Sequence, residues 1–113
     1  MNILLGVTGS VAASLTPKMV QDLKELGEVQ VVTTRSGFHM VPMRWDGDVD
    51  FGGPDVVVWQ DGHEKPGYIK GAPILHIDLK NWADLLVIAP CSANTLAKMA
   101  NGLADNLLTN LVR

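Results

Sequence analysis

Three short runs carry the glycines, hydroxyls and amides from which a small-molecule site could be built, and each follows an apolar run that reads as a strand. In the first, Leu85-Leu86-Val87-Ile88 leads to Ala89 and Pro90, and Ser92, Ala93, Asn94 and Thr95 then place two hydroxyls and an amide where a helix should begin. In the second, Ile3-Leu4-Leu5-Gly6-Val7 leads to Thr8-Gly9-Ser10-Val11. Gly9 lets the backbone come close to a ligand, and the hydroxyls of Thr8 and Ser10 with the N–H groups that follow suit an anion such as phosphate. This run matches neither the dinucleotide fingerprint nor the P-loop, and most such turns are plain connections. The third is Thr33-Thr34-Arg35-Ser36-Gly37, which either lines the same crevice or simply caps the next short helix.

Two further residues are candidates for chemistry. His76 is the one histidine flanked by apolar residues; a lone histidine on an apolar face is more often a satisfied structural residue than a catalyst. His39 and His63 lie in polar or loop-like surroundings, no two histidines have helical ligand spacing, and a metal site is not expected. Cys91, the single cysteine, has no partner for a disulfide and no second cysteine for a metal pair, which favours a reducing compartment.

These residues need strands and helices that bring them together. Ile3 to Val7 reads as a first strand, and Val20, Leu23 and Leu26 fall at helical spacing after it. Pro17 leaves two starts open: Thr16 as cap with Pro17 in first position, or a helix from Val11 kinked at the proline. Gly27 closes that helix, and Glu28 to Thr33 follows as a β-branched strand. From Pro42 to Pro73 the chain is irregular and glycine-rich, with Val56-Val57-Val58-Trp59 as its one strand. Past Thr95 a small-residue helix runs to Asn101-Gly102, and Leu103 onward starts another. The chain stops inside that helix, so its end reads as a truncation. In a parallel sheet, strand-to-helix corners gather at the carboxyl ends of the strands, where open α/β folds bind ligands.

Composition narrows the functional classes. The chain has 113 residues and a formal net charge of −3, with no Lys/Arg-rich run, which argues against general nucleic-acid affinity. One domain is expected, small for a free-standing doubly wound sheet, so surface buried against neighbouring subunits is expected too. The apolar start lacks a basic lead-in and reads as a strand rather than a signal peptide. No apolar run approaches the roughly 20 residues that span a bilayer, and a cytoplasmic location is expected.

The runs His76-Ile77-Asp78-Leu79, Trp82-Ala83-Asp84, Ala89-Pro90 with Ser92-Ala93-Asn94-Thr95, and Asn101-Gly102 with Asp105-Asn106-Leu107-Leu108-Thr109 together resemble the flavin-dependent cysteine decarboxylase family. Gly6 to Ala13 resembles that family's flavin-phosphate loop, whereas Met43 to Gly71 contributes little. The resemblance implies a flavodoxin-like, three-layer α/β sandwich with a mostly parallel sheet, assembled as trimers or multiples of trimers with FMN near the subunit boundary. It implies FMN contacts at Gly9, Ser10, Val11, Thr34, Ser36, Ser92, Ala93, Asn94 and Thr95, and a catalytic role for His76. The implied chemistry oxidises a cysteine thiol to a thioaldehyde, releases carbon dioxide and returns hydride; the pattern favours the branch that acts on 4'-phosphopantothenoylcysteine in coenzyme A biosynthesis.

The runner-up within the enzyme class is a peptidyl-cysteine decarboxylase, and the alternative from a different class is a non-catalytic FMN-binding subunit for regulation or assembly. The family's Pro-x-Met-Asn-x-x-Met-Trp motif and flap cysteine do not occur in these residues, so a second polypeptide could supply them. Cys91 occupies a variable position of the corner motif and is expected to be a small packing residue.

Overall fold

The alternation in β1, Asn2–Val7, sets up the layers. Ile3, Leu5 and Val7 point to one face and Leu4 to the other, and all four are buried, as in a strand covered on both sides. A computed structural model describes residues 1–43, 47–53, 55–63 and 75–112. Its strands β1, β2 (Glu28–Thr33), β3 (Val57–Trp59) and β4 (Leu85–Ile88) form a sheet in the order β3-β2-β1-β4. Every pairing within this sheet is parallel, and an isolated antiparallel bridge joins Met43 and Val49 outside it; Ile3 stands opposite both Val29 and Leu85, and Gly6 opposite both Val32 and Ile88. The expected three-layer α/β architecture is therefore present.

One layer combines a 3-10 turn at Val11–Leu15 with α1 (Thr16–Lys24) and α2 (Arg35–Met40). Their Ala13 and Val20, with Val41 and Phe51 from the connecting chain, pack on Ile3, Leu5, Val7, Val29 and Val31. The opposite layer is built from α3 (Leu75–Trp82) and α5 (Leu107–Val112), whose Leu79, Leu107, Leu108 and Leu111 cover Leu4 and Val32. Gly6 makes room for this layer: a Cβ there would lie 2.7 Å from Leu108 Cδ1. Helix α4 (Ala93–Ala100) follows β4, and the Lys98–Asp105 ion pair at 3.1 Å ties it to the approach to α5.

Several local expectations are corrected. Neither proposed start of α1 occurs: the 3-10 turn runs directly into α1, Thr16 is its first residue and Pro17 its second, where a missing N–H is harmless. The Thr16 hydroxyl donates to the Ala13 carbonyl at 2.7 Å instead of capping. The helix ends at Lys24, leaving Leu26 exposed. Gly27 is not a left-handed cap; it sits where a Cβ would lie 1.9 Å from the Met1 carbonyl oxygen, whose partner is the Glu28 N–H at 3.1 Å. Helix α4 begins at Ala93 and ends at Ala100 with Asn101 as its C-cap, and Gly102 follows with a φ of +70°, as a glycine terminator should. The last helix is shorter than expected and starts at Leu107. The strand read at Val56 begins at Val57, and the remainder of the irregular stretch, at 44–46, 54 and 64–74, lies outside the described residues.

The amino edge of the sheet is fastened by the run Trp82-Ala83-Asp84. Asp84 Oδ2 accepts from the Asn2 N–H at 2.8 Å, Asp84 N donates to the Asn2 carbonyl at 2.7 Å, and Asn2 Nδ2 donates to the Trp82 carbonyl at 2.9 Å. Beside it, the Lys24 ammonium donates to the exposed Asp55 carboxylate at 3.2 Å; that bond, a backbone N–H and the lysine's charge hold the Asp55 carboxyl below its usual range.

Candidate functional site

β1 is the point where the sheet order turns, with β2 on one side and β4 on the other, so the crevice between the β1 and β4 carboxyl ends is the expected ligand position. Both corner sequences open there. Thr8 joins them: its hydroxyl donates to the Pro90 carbonyl at 2.6 Å and accepts from the Ser92 N–H at 2.6 Å, while Thr8 N donates to Pro90 O at 3.2 Å. Thr8 is fully buried. The reading of its hydroxyl as an anion ligand is therefore corrected, because both its bonds are used to hold one corner against the other.

Ser92 is the N-cap of α4. Its Oγ accepts from Thr95 N at 3.2 Å and lies 3.1 Å from Thr95 Oγ1, and its carbonyl accepts from Leu96 N at 2.9 Å. Thr95 is buried, so its side chain works behind the corner rather than on its surface. The N–H groups of Ala93 and Asn94 keep no partner among the described residues, and the Asn94 side chain is exposed beside them. Cys91 is exposed, not packed as expected; its thiol makes only a weak 3.8 Å contact with the Ser92 carbonyl.

The corner after β2 joins the same edge, and its reading as a helix cap holds. Thr34 caps α2 by accepting from Gly37 N at 3.1 Å, and Thr34 N donates to Val7 O at 3.0 Å. A Cβ on Gly9 would lie 2.5 Å from Ser36 Cβ, and one on Gly37 would lie 2.4 Å from Val7 O. The two loops thus touch through glycine. Ser10 caps the 3-10 turn, its Oγ accepting from Ala12 N at 3.3 Å, Val11 is largely exposed, and Ser36 is exposed.

His76 lies in the first turn of α3, half-buried. Because α3 returns the chain from the end of β3 to the start of β4, that first turn lies toward the carboxyl edge shared by the three corners. The outward-facing set at this edge consists of hydroxyls, an amide and first-turn N–H groups. A phosphorylated, hydrogen-bonding cofactor fits such a donor-rich rim. Among the described residues no three of His, Cys, Asp and Glu gather as metal ligands, and no helix is long and apolar enough to cross a membrane.

Two features of this edge escaped the sequence reading. Asp61, in the turn after β3, accepts from Leu107 N at 2.9 Å and so caps α5 across a separation of 46 residues, which no local pattern announces. Arg35, Phe38 and His39 of α2 line an open groove of about 540 Å³ with Gln60, Asp61 and Gly62. The i, i+4 spacing of the two basic residues was the available signal.

A phosphopantothenoylcysteine decarboxylase of Malus domestica is 44% identical over 112 residues, an alignment that covers 98% of this chain and 50% of the relative. The chain spans about half the length of the curated relatives it matches. A solved phosphopantothenoylcysteine decarboxylase variant complexed with pantothenoylaminoethenethiol superposes with a TM-score of 0.85 at 41% identity, covering 99% of this chain and 59% of that one. The FMN-dependent cysteine decarboxylase SpaF superposes with a TM-score of 0.78 at 32% identity, over 99% of this chain and 61% of its own. The Flavoprotein family model matches residues 1–113, and the chain belongs to the Flavoprotein family.

Proposed function

We propose that residues 1–113 form a single FMN-binding domain of a cysteine decarboxylase that converts 4'-phosphopantothenoylcysteine to 4'-phosphopantetheine in coenzyme A biosynthesis. The observation that carries this reading is the gathering of three polar corners at one carboxyl edge, toward which the first turn of α3, carrying His76, also lies. When bound, FMN supplies the acceptance and return of hydride. Gly9, Ser10, Val11, Thr34 and Ser36 on one side, and Ser92, Ala93 and Asn94 on the other, hold the cofactor through N–H groups, hydroxyls and the Asn94 amide. Thr95 contributes by fixing Ser92. His76 takes and gives a proton at the cysteine end of the substrate, as an imidazole does near neutrality.

Self-association of the chain, as trimers or multiples of them, completes the site at the subunit boundary. The exposed, unpaired Cys91 suits the reducing cytoplasm. The 44% identity to a phosphopantothenoylcysteine decarboxylase supports the small conjugate over a peptide.

The purified protein should carry oxidised flavin, visible in its absorbance spectrum. Asn94→Ala should weaken flavin retention, and an unchanged dissociation constant would remove that residue from the site. His76→Asn should retain the flavin but release no carbon dioxide from phosphopantothenoylcysteine; undiminished turnover would remove His76 from the mechanism. Flavin binding by the parent without any carbon dioxide release would favour the non-catalytic subunit instead.

A further inference from the structure

The end of α4 away from the Ser92 corner carries the only asparagine of the chain that is followed by glycine, Asn101-Gly102, and both residues are exposed. Glycine has no side chain to shield its nitrogen. That nitrogen is the nucleophile that can attack the side-chain amide of the preceding asparagine, and a Cβ on Gly102 would meet nothing within 4 Å, so the approach is open to water. The α4 cap holds the attack off. With Asn101 at φ −98° and ψ 6°, the Gly102 N–H donates to Met99 O at 3.2 Å and the Leu103 N–H to Lys98 O at 2.9 Å. Asn101 Nδ2 donates to Ala97 O at 2.7 Å, which Asn101 N also reaches at 3.1 Å. The attacking nitrogen and the leaving nitrogen are thus both tied to carbonyls of the last turn.

We propose that Asn101-Gly102 is a site of spontaneous deamidation, gated by the C-terminal cap of α4 and protected further when FMN is bound at the other end of that helix. When the cap frays, the Gly102 nitrogen attacks Asn101 Cγ and closes a five-membered imide; the Cγ–Nδ2 bond breaks, and ammonia leaves with the proton lost from Gly102 N. Water then opens the imide at either carbonyl and leaves an aspartyl or isoaspartyl link at position 101. Either product replaces the Nδ2 donor by a carboxylate at the negative end of the helix dipole. The isoaspartyl link also adds a methylene to the backbone between the cap's two N–H donors, those of Gly102 and Leu103, and the helix. Helix α4 has only eight residues, about two turns, and so short a helix holds or frays as a unit. Its first turn carries Ser92, Asn94 and Thr95, so damage at Asn101 weakens the cofactor corner, and a cofactor seated there steadies the cap. The link to FMN rests on the site reading above, whereas the gate itself rests on the cap alone.

The test ages the full chain at mildly alkaline pH, stripped of flavin and saturated with FMN, beside a synthetic peptide of residues 96–107 and an Asn101→Gln chain. Peptide mapping by mass spectrometry reads the gain of one mass unit at position 101. The stripped chain should react at this asparagine ahead of all others, at least about tenfold more slowly than the peptide because the cap must open first, and FMN should slow it about threefold or more. Asn101→Gln should gain no mass there. The modified chain, separated by its extra negative charge, should hold FMN about two- to fivefold more weakly than the parent. A chain that reacts as fast as the peptide would show that the cap is no gate, and one that never reacts at Asn101 would show that there is no site; either overturns the proposal. Equal rates with FMN demonstrably bound, or unchanged FMN affinity after modification, would overturn the coupling along α4. A chain that takes up no FMN would sink the cofactor reading instead, while the comparison with the peptide would still decide the gate.

Discussion

At the scale of single residues, the site depends on atoms that never meet a ligand. Thr8 is fully buried, and its hydroxyl both donates to Pro90 O and accepts from Ser92 N, so one oxygen bridges the two corners beside the backbone bond from Thr8 N to Pro90 O. Thr8→Val keeps the shape and removes that oxygen, leaving a carbonyl and an N–H with reduced or no partners. We expect a loss of about 1–3 kcal/mol in chemical denaturation, with Thr8→Ser close to the parent; equal stability of Thr8→Val would mean that the hydroxyl does not fasten the corner. Gly37 poses a harder constraint, because the atom a Cβ would meet at 2.4 Å is the backbone oxygen of Val7, which cannot swing away as a side chain can. Gly37→Ala should therefore cost about 1–3 kcal/mol, while Gly62→Ala, with open space around it, should stay within about 0.5 kcal/mol of the parent. Comparable melting temperatures for the two variants would contradict this contrast.

At the scale of elements, what could be read in the sequence was whatever is local. The apolar runs of β1, β2 and β4 and the cap at Ser92 follow from neighbours in the chain, and the corner at Thr34 was recognisable as a corner although its two roles were not separable. Gly27 was misread because glycine answers equally to a helix end and to a passing backbone, and the passing backbone is that of Met1, remote in sequence. Some motifs that carried the family likeness turn out to be scaffold. The run Asp105-Asn106-Leu107-Leu108-Thr109 is a reciprocal cap: Asn106 Oδ1 accepts from Thr109 N at 2.9 Å, and Thr109 Oγ1 accepts from Asn106 N at 3.2 Å. Replacing Asn106 by Ala should cost about 1 kcal/mol, and amide exchange at Thr109 should speed up; a protected Thr109 amide in the variant would show that Asp61, bonded to the neighbouring Leu107 N–H, suffices to start α5.

At the scale of the whole molecule, the carboxyl edge that gathers the polar corners is also where large apolar side chains are left uncovered. Val11 and Leu15, in the 3-10 turn after β1, are 78% and 58% exposed, and Leu96, in α4 after β4, is 58% exposed. These two segments follow adjacent strands, so their apolar side chains neighbour the same crevice as Thr8 and Ser92. Apolar side chains grouped beside a polar rim mark an interaction surface more often than a bare one, and association would cover them while closing the cofactor rim to solvent. Leu96→Glu puts a charge on that surface without touching Thr95, the buried residue that holds Ser92. The parent should sediment as an oligomer, the variant should shift toward monomer, and flavin retention should fall with it, because the rim loses the wall a neighbouring copy provides. An oligomeric Leu96→Glu protein would place the interface elsewhere, and a monomeric variant that keeps its flavin as tightly as the parent would show that one chain's three corners hold the cofactor unaided.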